Sequence, residues 1–122
     1  MRSLALLPLL LLSACAPREQ APAALPLLNC ERGFETLSAE IGASPSLKQA
    51  PKEPGEPYRF YSAIEGGTSY VVTEPGAPGH PALLKQESVD GRMTNSGCPY
   101  GDKAGYEQVV AYLQSLSASR RK

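Results

Sequence analysis

Four side chains in this 122-residue chain stand out by type as able to do chemistry: the cysteines at 15, 30 and 98 and the single histidine at 80. A lone histidine does not make a zinc site, which normally takes three or four protein ligands. Nothing in the spacing of Glu74 or Asp90 specifies a common site with it. A Ser–His–Asp hydrolase would have to use His80, yet the chain has no G-x-S-x-G turn. Neither a metal nor a cofactor is therefore expected. Cys98-Pro99-Tyr100-Gly101 leads into an expected helix, whose N-terminus would stabilise a thiolate and lower the cysteine pKa. His80 lies in the run Pro75-Gly76-Ala77-Pro78-Gly79-His80-Pro81. One reading is a rigid connection between strands, with His80 hydrogen-bonded or exposed. The other is a pre-ordered recognition loop: prolines lower the entropy lost on binding, and imidazole offers a donor and an acceptor near neutral pH.

The beginning of the chain is of a different kind. Met1–Leu12 has one positive charge at Arg2 and then an apolar run broken only by Ser3 and Pro8, too short to span a bilayer. It ends in Leu12-Ser13-Ala14-Cys15, which resembles the lipobox of bacterial lipoproteins. That resemblance implies cleavage before Cys15 and acylation of Cys15 and its new amino terminus. It implies anchoring to a membrane, because each buried methylene contributes about 0.8 kcal/mol. Ala16, rather than Asp, follows the cysteine and looks like an outer-membrane sorting signal, so the expected location is the periplasmic face of the outer membrane. Residues 1–14 are then a signal peptide and 15–28 a tether. Pro17, Pro22 and Pro26 make the tether a polyproline-like spacer of about 40 Å, at about 3.1 Å per residue.

With Cys15 lipidated, Cys30 and Cys98 remain as an even pair in an oxidising compartment and read as a disulfide. Closing a loop of nearly seventy residues is worth about 4 kcal/mol in the chain-entropy model, a large share for so small a domain. Cys98-Pro99-Tyr100-Gly101 also resembles the glutaredoxin C-P-Y-C site with its second cysteine replaced by glycine. A thioredoxin-type fold would continue with further strands beyond that helix, whereas only some twenty residues remain.

Positioning these groups falls to one small domain, residues 29–117. Charge is balanced at 12 basic and 12 acidic residues, which leaves no electrostatic footprint for nucleic acid. The basic end, within 118–122, reads as a solvated tail. Asn29 caps a first helix over residues 30–42, with Cys30, Phe34, Leu37 and Ile41 on one face. Residues 43–57 read as a loop. Strands are expected at residues 58–65 and 68–73, joined by a two-residue turn at Gly66-Gly67 that sets Phe60 against Thr73 and Tyr61 against Val72. A third strand, 82–89, leads through Asp90-Gly91 to a short fourth, 92–96. Asp102 caps a last helix striped by Tyr106, Val109, Val110, Leu113 and Leu116. The expected class is α+β: an antiparallel sheet of three to four strands with both helices on one face. Both faces of the 58–73 hairpin carry apolar groups, however, so which side would pack is open.

Tyr70–Leu83, with the late run Gly97-Cys98-Pro99-Tyr100-Gly101-Asp102, is similar to a group of small uncharacterised proteobacterial envelope proteins. The resemblance implies the layout and no particular activity. Together these readings suggest a lipid-anchored, non-catalytic interaction or structural module with an envelope protein as possible partner. The alternatives are a ligand-binding or inhibitor module presenting the His80 loop, and a small thiol or hydrolytic enzyme using Cys98 or His80.

Overall fold

Val71 and Val72 are neighbours on one strand, and both are almost fully buried. Successive side chains on a strand point to opposite faces, so this sheet is covered on both sides. The computed structural model describes residues 24–119, with side chains through residue 116. Residues 1–23, which include the segment read as a signal peptide, Cys15 and the first part of the segment read as a tether, lie outside the described residues, as do residues 120–122.

Among the described residues, a 3-10 turn, Cys30–Arg32, precedes α1 (Phe34–Ala43); five strands follow, β1 (Leu47–Gln49), β2 (Tyr58–Ala63), β3 (Thr68–Thr73), β4 (Ala82–Val89) and β5 (Arg92–Pro99), and then α2 (Lys103–Ser119). The strands form one antiparallel meander in sequence order. The α+β class is as expected, with five strands instead of three to four. The added strand, β1, sits in the segment 43–57 expected to be a loop. Leu47 is its one apolar residue, and pairing with Ala63 places it against the core. β5 also runs three residues further than the expected 92–96.

The helices do not share a face. α1 contributes Leu37 and Ile41 to a core with Tyr61, Tyr70, Val72 and Leu83. α2 contributes Val109 and Leu113 to a second core with Val71 and Leu84. The apolar residues of the two strands of the β2–β3 hairpin are thus divided between the faces, one set per helix, while Ile64 in the turn is exposed. Fully burying each such aliphatic side chain contributes about 1.5–3 kcal/mol.

Local signals set most of the boundaries. Asn29 caps the chain as expected, its side chain accepting from the Glu31 N–H, but Gly33 at φ 87° ends the 3-10 turn before α1 begins. Asp90 (φ 50°) and Gly91 (φ 76°) form the two-residue turn between β4 and β5, with Val89 opposite Arg92. Such a turn needs positive φ at both central residues. The other hairpin departs from expectation. Phe60 faces Val71 and Tyr61 faces Tyr70, so the turn holds four residues, 64–67, and the register moves by two. A shift of two keeps every side chain on its face.

The last residues of the segment expected to be a tether, 15–28, are docked on the domain. Leu25 and Leu28 pack against the α1-side core, and the Tyr70 hydroxyl donates to the Pro26 carbonyl at 2.7 Å. At the other end, α2 extends to Ser119, two residues into the segment read as a tail.

Candidate functional site

The structure brings three of the sequence-identified groups to one end of the sheet. Cys30 and Cys98 form a disulfide across 68 positions of sequence. Cys98 is fully buried near the end of β5 and Cys30 is exposed. α2 begins five residues beyond Cys98, so the sulfur sits in the sheet rather than at the helix N-terminus. Tyr100 continues from β5 and locks this corner: its hydroxyl donates to the Cys30 carbonyl at 2.5 Å and its N–H to the Pro81 carbonyl at 3.1 Å.

His80 lies in the same corner. Its Nδ1 is 2.8 Å from the Thr73 hydroxyl oxygen, which also accepts from the Ala82 N–H at 2.8 Å and lies 3.1 Å from the Ala82 carbonyl. A hydroxyl donates once. When Thr73 donates to the carbonyl, His80 carries its proton on Nδ1; when it donates to the ring, the proton moves to Nε2. The His80 and Phe34 rings meet edge to face, with centroids 5.5 Å apart. The His80–Pro81 peptide bond is cis.

The rest of the loop is shaped by contact with α2. A Cβ on Gly79, whose φ is +70°, would stand 2.4 Å from the Tyr106 nitrogen, and one on Gly105 would stand 2.2 Å from the Gly79 nitrogen. Gly101 meets the Gly79 and His80 carbonyls at 2.5 Å in the same sense. Backbone therefore lies on backbone. The loop connects both helix layers, touching α1 through His80 and α2 through Gly79. Glu74 fixes its start by ion pairs with Lys52 and Arg59. Pro75, Gly76 and Pro78 remain exposed, while Ala77 between them is buried. Among the described residues, no group of histidine, cysteine or carboxylate side chains is arranged to hold a metal ion.

A second feature has no counterpart in the sequence reading. A cleft of about 260 Å³ opens on the α2 side of the sheet. Leu113 and Leu116 of α2 form its apolar wall, and the sheet supplies Phe60 and, as a polar floor, Ser62, Ser69 and Gln86. These three floor residues belong to one cross-strand row, Lys48–Ser62–Ser69–Gln86–Asn95. One row earlier, under the start of α2, the same face carries Phe60, Val71, Leu84 and Gly97. The floor thus turns from apolar to neutral polar where the helix still presents leucines. Gln86 is 9% exposed, and its Nε2 has no hydrogen-bond partner among the described residues; Asn95 Oδ1, next to it in the row, has none either. Two residues before Phe60 on the same strand, Tyr58 stacks on Tyr112 of α2 with ring centroids 5.9 Å apart. Burial first, then the charges of Tyr112 and Glu56, raises the Tyr58 pKa above the ordinary tyrosine value. The row was hidden in the sequence because the expected β2–β3 register set Ser62 opposite Val71 instead of Ser69.

In comparisons with known proteins, no protein family, no curated protein and no solved structure matches this chain.

Proposed function

We propose that this chain is a lipid-anchored cell-envelope domain, held through acylated Cys15 at the periplasmic face of the outer membrane, that acts by binding a partner rather than by catalysis. The observation that carries the reading is Leu12-Ser13-Ala14-Cys15 after a charged start and a leucine run. The Cys30–Cys98 disulfide supports it, since such bonds persist in oxidising compartments. The docked end of the tether adds a distance. With Leu25 and Leu28 packed on the domain, only residues 16–24 separate it from the lipid. Extended, they would reach about 28 Å, so the domain works close to the bilayer surface. His80 fits the same reading, with Nδ1 engaged by Thr73 and its loop packed on α2.

The test is metabolic labelling of the full chain with an alkynyl fatty acid, followed by fractionation. The wild-type chain should carry label and sediment with membranes, and Cys15→Ser should lose both properties. An unlabelled wild-type chain in the soluble fraction would overturn the proposal.

A further inference from the structure

We infer that the cleft between the sheet and the second half of α2 is a binding site for a neutral sugar, one pyranose ring in size. This inference does not depend on the lipid anchor. Its starting point is a mismatch: a buried polar atom without a partner costs free energy, and one in a native fold calls for an explanation. Here Gln86 Nε2 is such an atom: it is closed off within the protein, but it belongs to a residue lining an open cleft, so a ligand would meet it once the carboxamide turns outward. Leucine at position 86 would have continued the apolar floor begun by Leu84 on the same strand face. Instead, serine, serine and glutamine stand side by side on three adjacent strands.

The chemistry of the lining selects the ligand class. Serine hydroxyls and a carboxamide both donate and accept, as sugar hydroxyls do. Across from them two leucines of α2, and beside them on the sheet Phe60, offer apolar surface suited to the C–H face of a ring. Glu56 is the one charged side chain lining the cleft among the described residues. As an acceptor it suits hydroxyl donors and disfavours anions. The volume, about 260 Å³, is just under the roughly 300 Å³ at which drug-sized pockets begin, so a single ring is the natural occupant.

The experiment is an NMR titration of the isotopically labelled full chain in micelles of lauryldimethylamine oxide, a detergent without a sugar headgroup. The probes are glucose, N-acetylglucosamine and cyclohexanol, each to about 50 mM, enough to load a site of millimolar Kd. At least one sugar should give saturable shifts at the Ser62 and Ser69 amides and the Gln86 side-chain amide. Gln86→Leu should bind that sugar at least about tenfold more weakly while melting no lower than wild type, and Ser69→Ala should weaken binding as well. Three results would each overturn the inference: no saturable shift with either sugar, unchanged affinity in both variants, or tighter binding of cyclohexanol than of both sugars. The last would make the cleft an apolar pocket only.

Discussion

Alanine in place of glycine inside a helix normally stabilises it, by about 1 kcal/mol. Gly105 of α2 should do the opposite. A Cβ there would stand 2.2 Å from the Gly79 nitrogen, 2.7 Å from its Cα and 2.9 Å from the Pro78 carbonyl carbon. All three are backbone atoms, so no side chain can swing aside. The loop cannot easily retreat either, because His80 is tied to Thr73 and Tyr100 to Pro81. Overpacking of this kind costs about 1–3 kcal/mol. Gly105 lies in the first turn, where the propensity gain is smallest, so the expected net loss is about 2 kcal/mol. For a domain of this size that lowers Tm by about 8–16 °C. Gly42→Ala in α1 is the matched control: its Cβ would meet only the Tyr61 hydroxyl, at an ordinary 3.7 Å. Urea and thermal unfolding of the oxidised full chain, followed by far-ultraviolet circular dichroism, should show Gly105→Ala well below wild type and Gly42→Ala at or slightly above it. Gly105→Ala as stable as wild type would refute the claim that backbone contact between this loop and α2 holds the His80 corner.

Reduction of the Cys30–Cys98 bond should lower unfolding stability by about 4 kcal/mol, the chain-entropy value for a loop of this length. Urea midpoints before and after dithiothreitol check the size, and equal masses after alkylation with and without reduction would deny the bridge. Stability should also fall above about pH 10. Burial raises the pKa of Tyr58, Tyr70 and Tyr106, and the hydrogen bond to Glu87 raises that of Lys85 against the opposing effect of burial. Between the ordinary and the raised values the unfolded chain has released protons that the folded chain retains, so stability declines as pH rises. Urea midpoints at pH 8, 9.5 and 11, with tyrosinate absorbance as a second signal, should track this; a midpoint unchanged to pH 11 would contradict it.

Much of the layout could be read from local sequence. Asp90-Gly91 specified its turn because few residue pairs tolerate positive φ twice in succession. Asp102 marked the start of α2 with a side chain that accepts from the Gly105 N–H at 2.8 Å. The pairing of Cys30 with Cys98 followed from there being two cysteines left once Cys15 was set apart. Periodicity likewise identified the apolar stripe of α2, since all five of its residues belong to the core on that side.

Tertiary structure decided what local pattern leaves degenerate. An apolar alternation shows that both strand faces are usable, but not that each receives its own helix; that depends on where the crossing segments send α1 and α2. β1 is three residues long and carries one apolar side chain, so only pairing with β2 makes it a strand. The β2–β3 register rests on a four-residue turn that two glycines alone do not distinguish from a tighter one. That register in turn aligns Ser62, Ser69 and Gln86 into the floor of a cleft. The conformational freedom of Gly79, Gly101 and Gly105 was visible in the sequence. Their packing against one another was not, because residues more than twenty positions apart meet only when the sheet brings the loop and the helix to the same end.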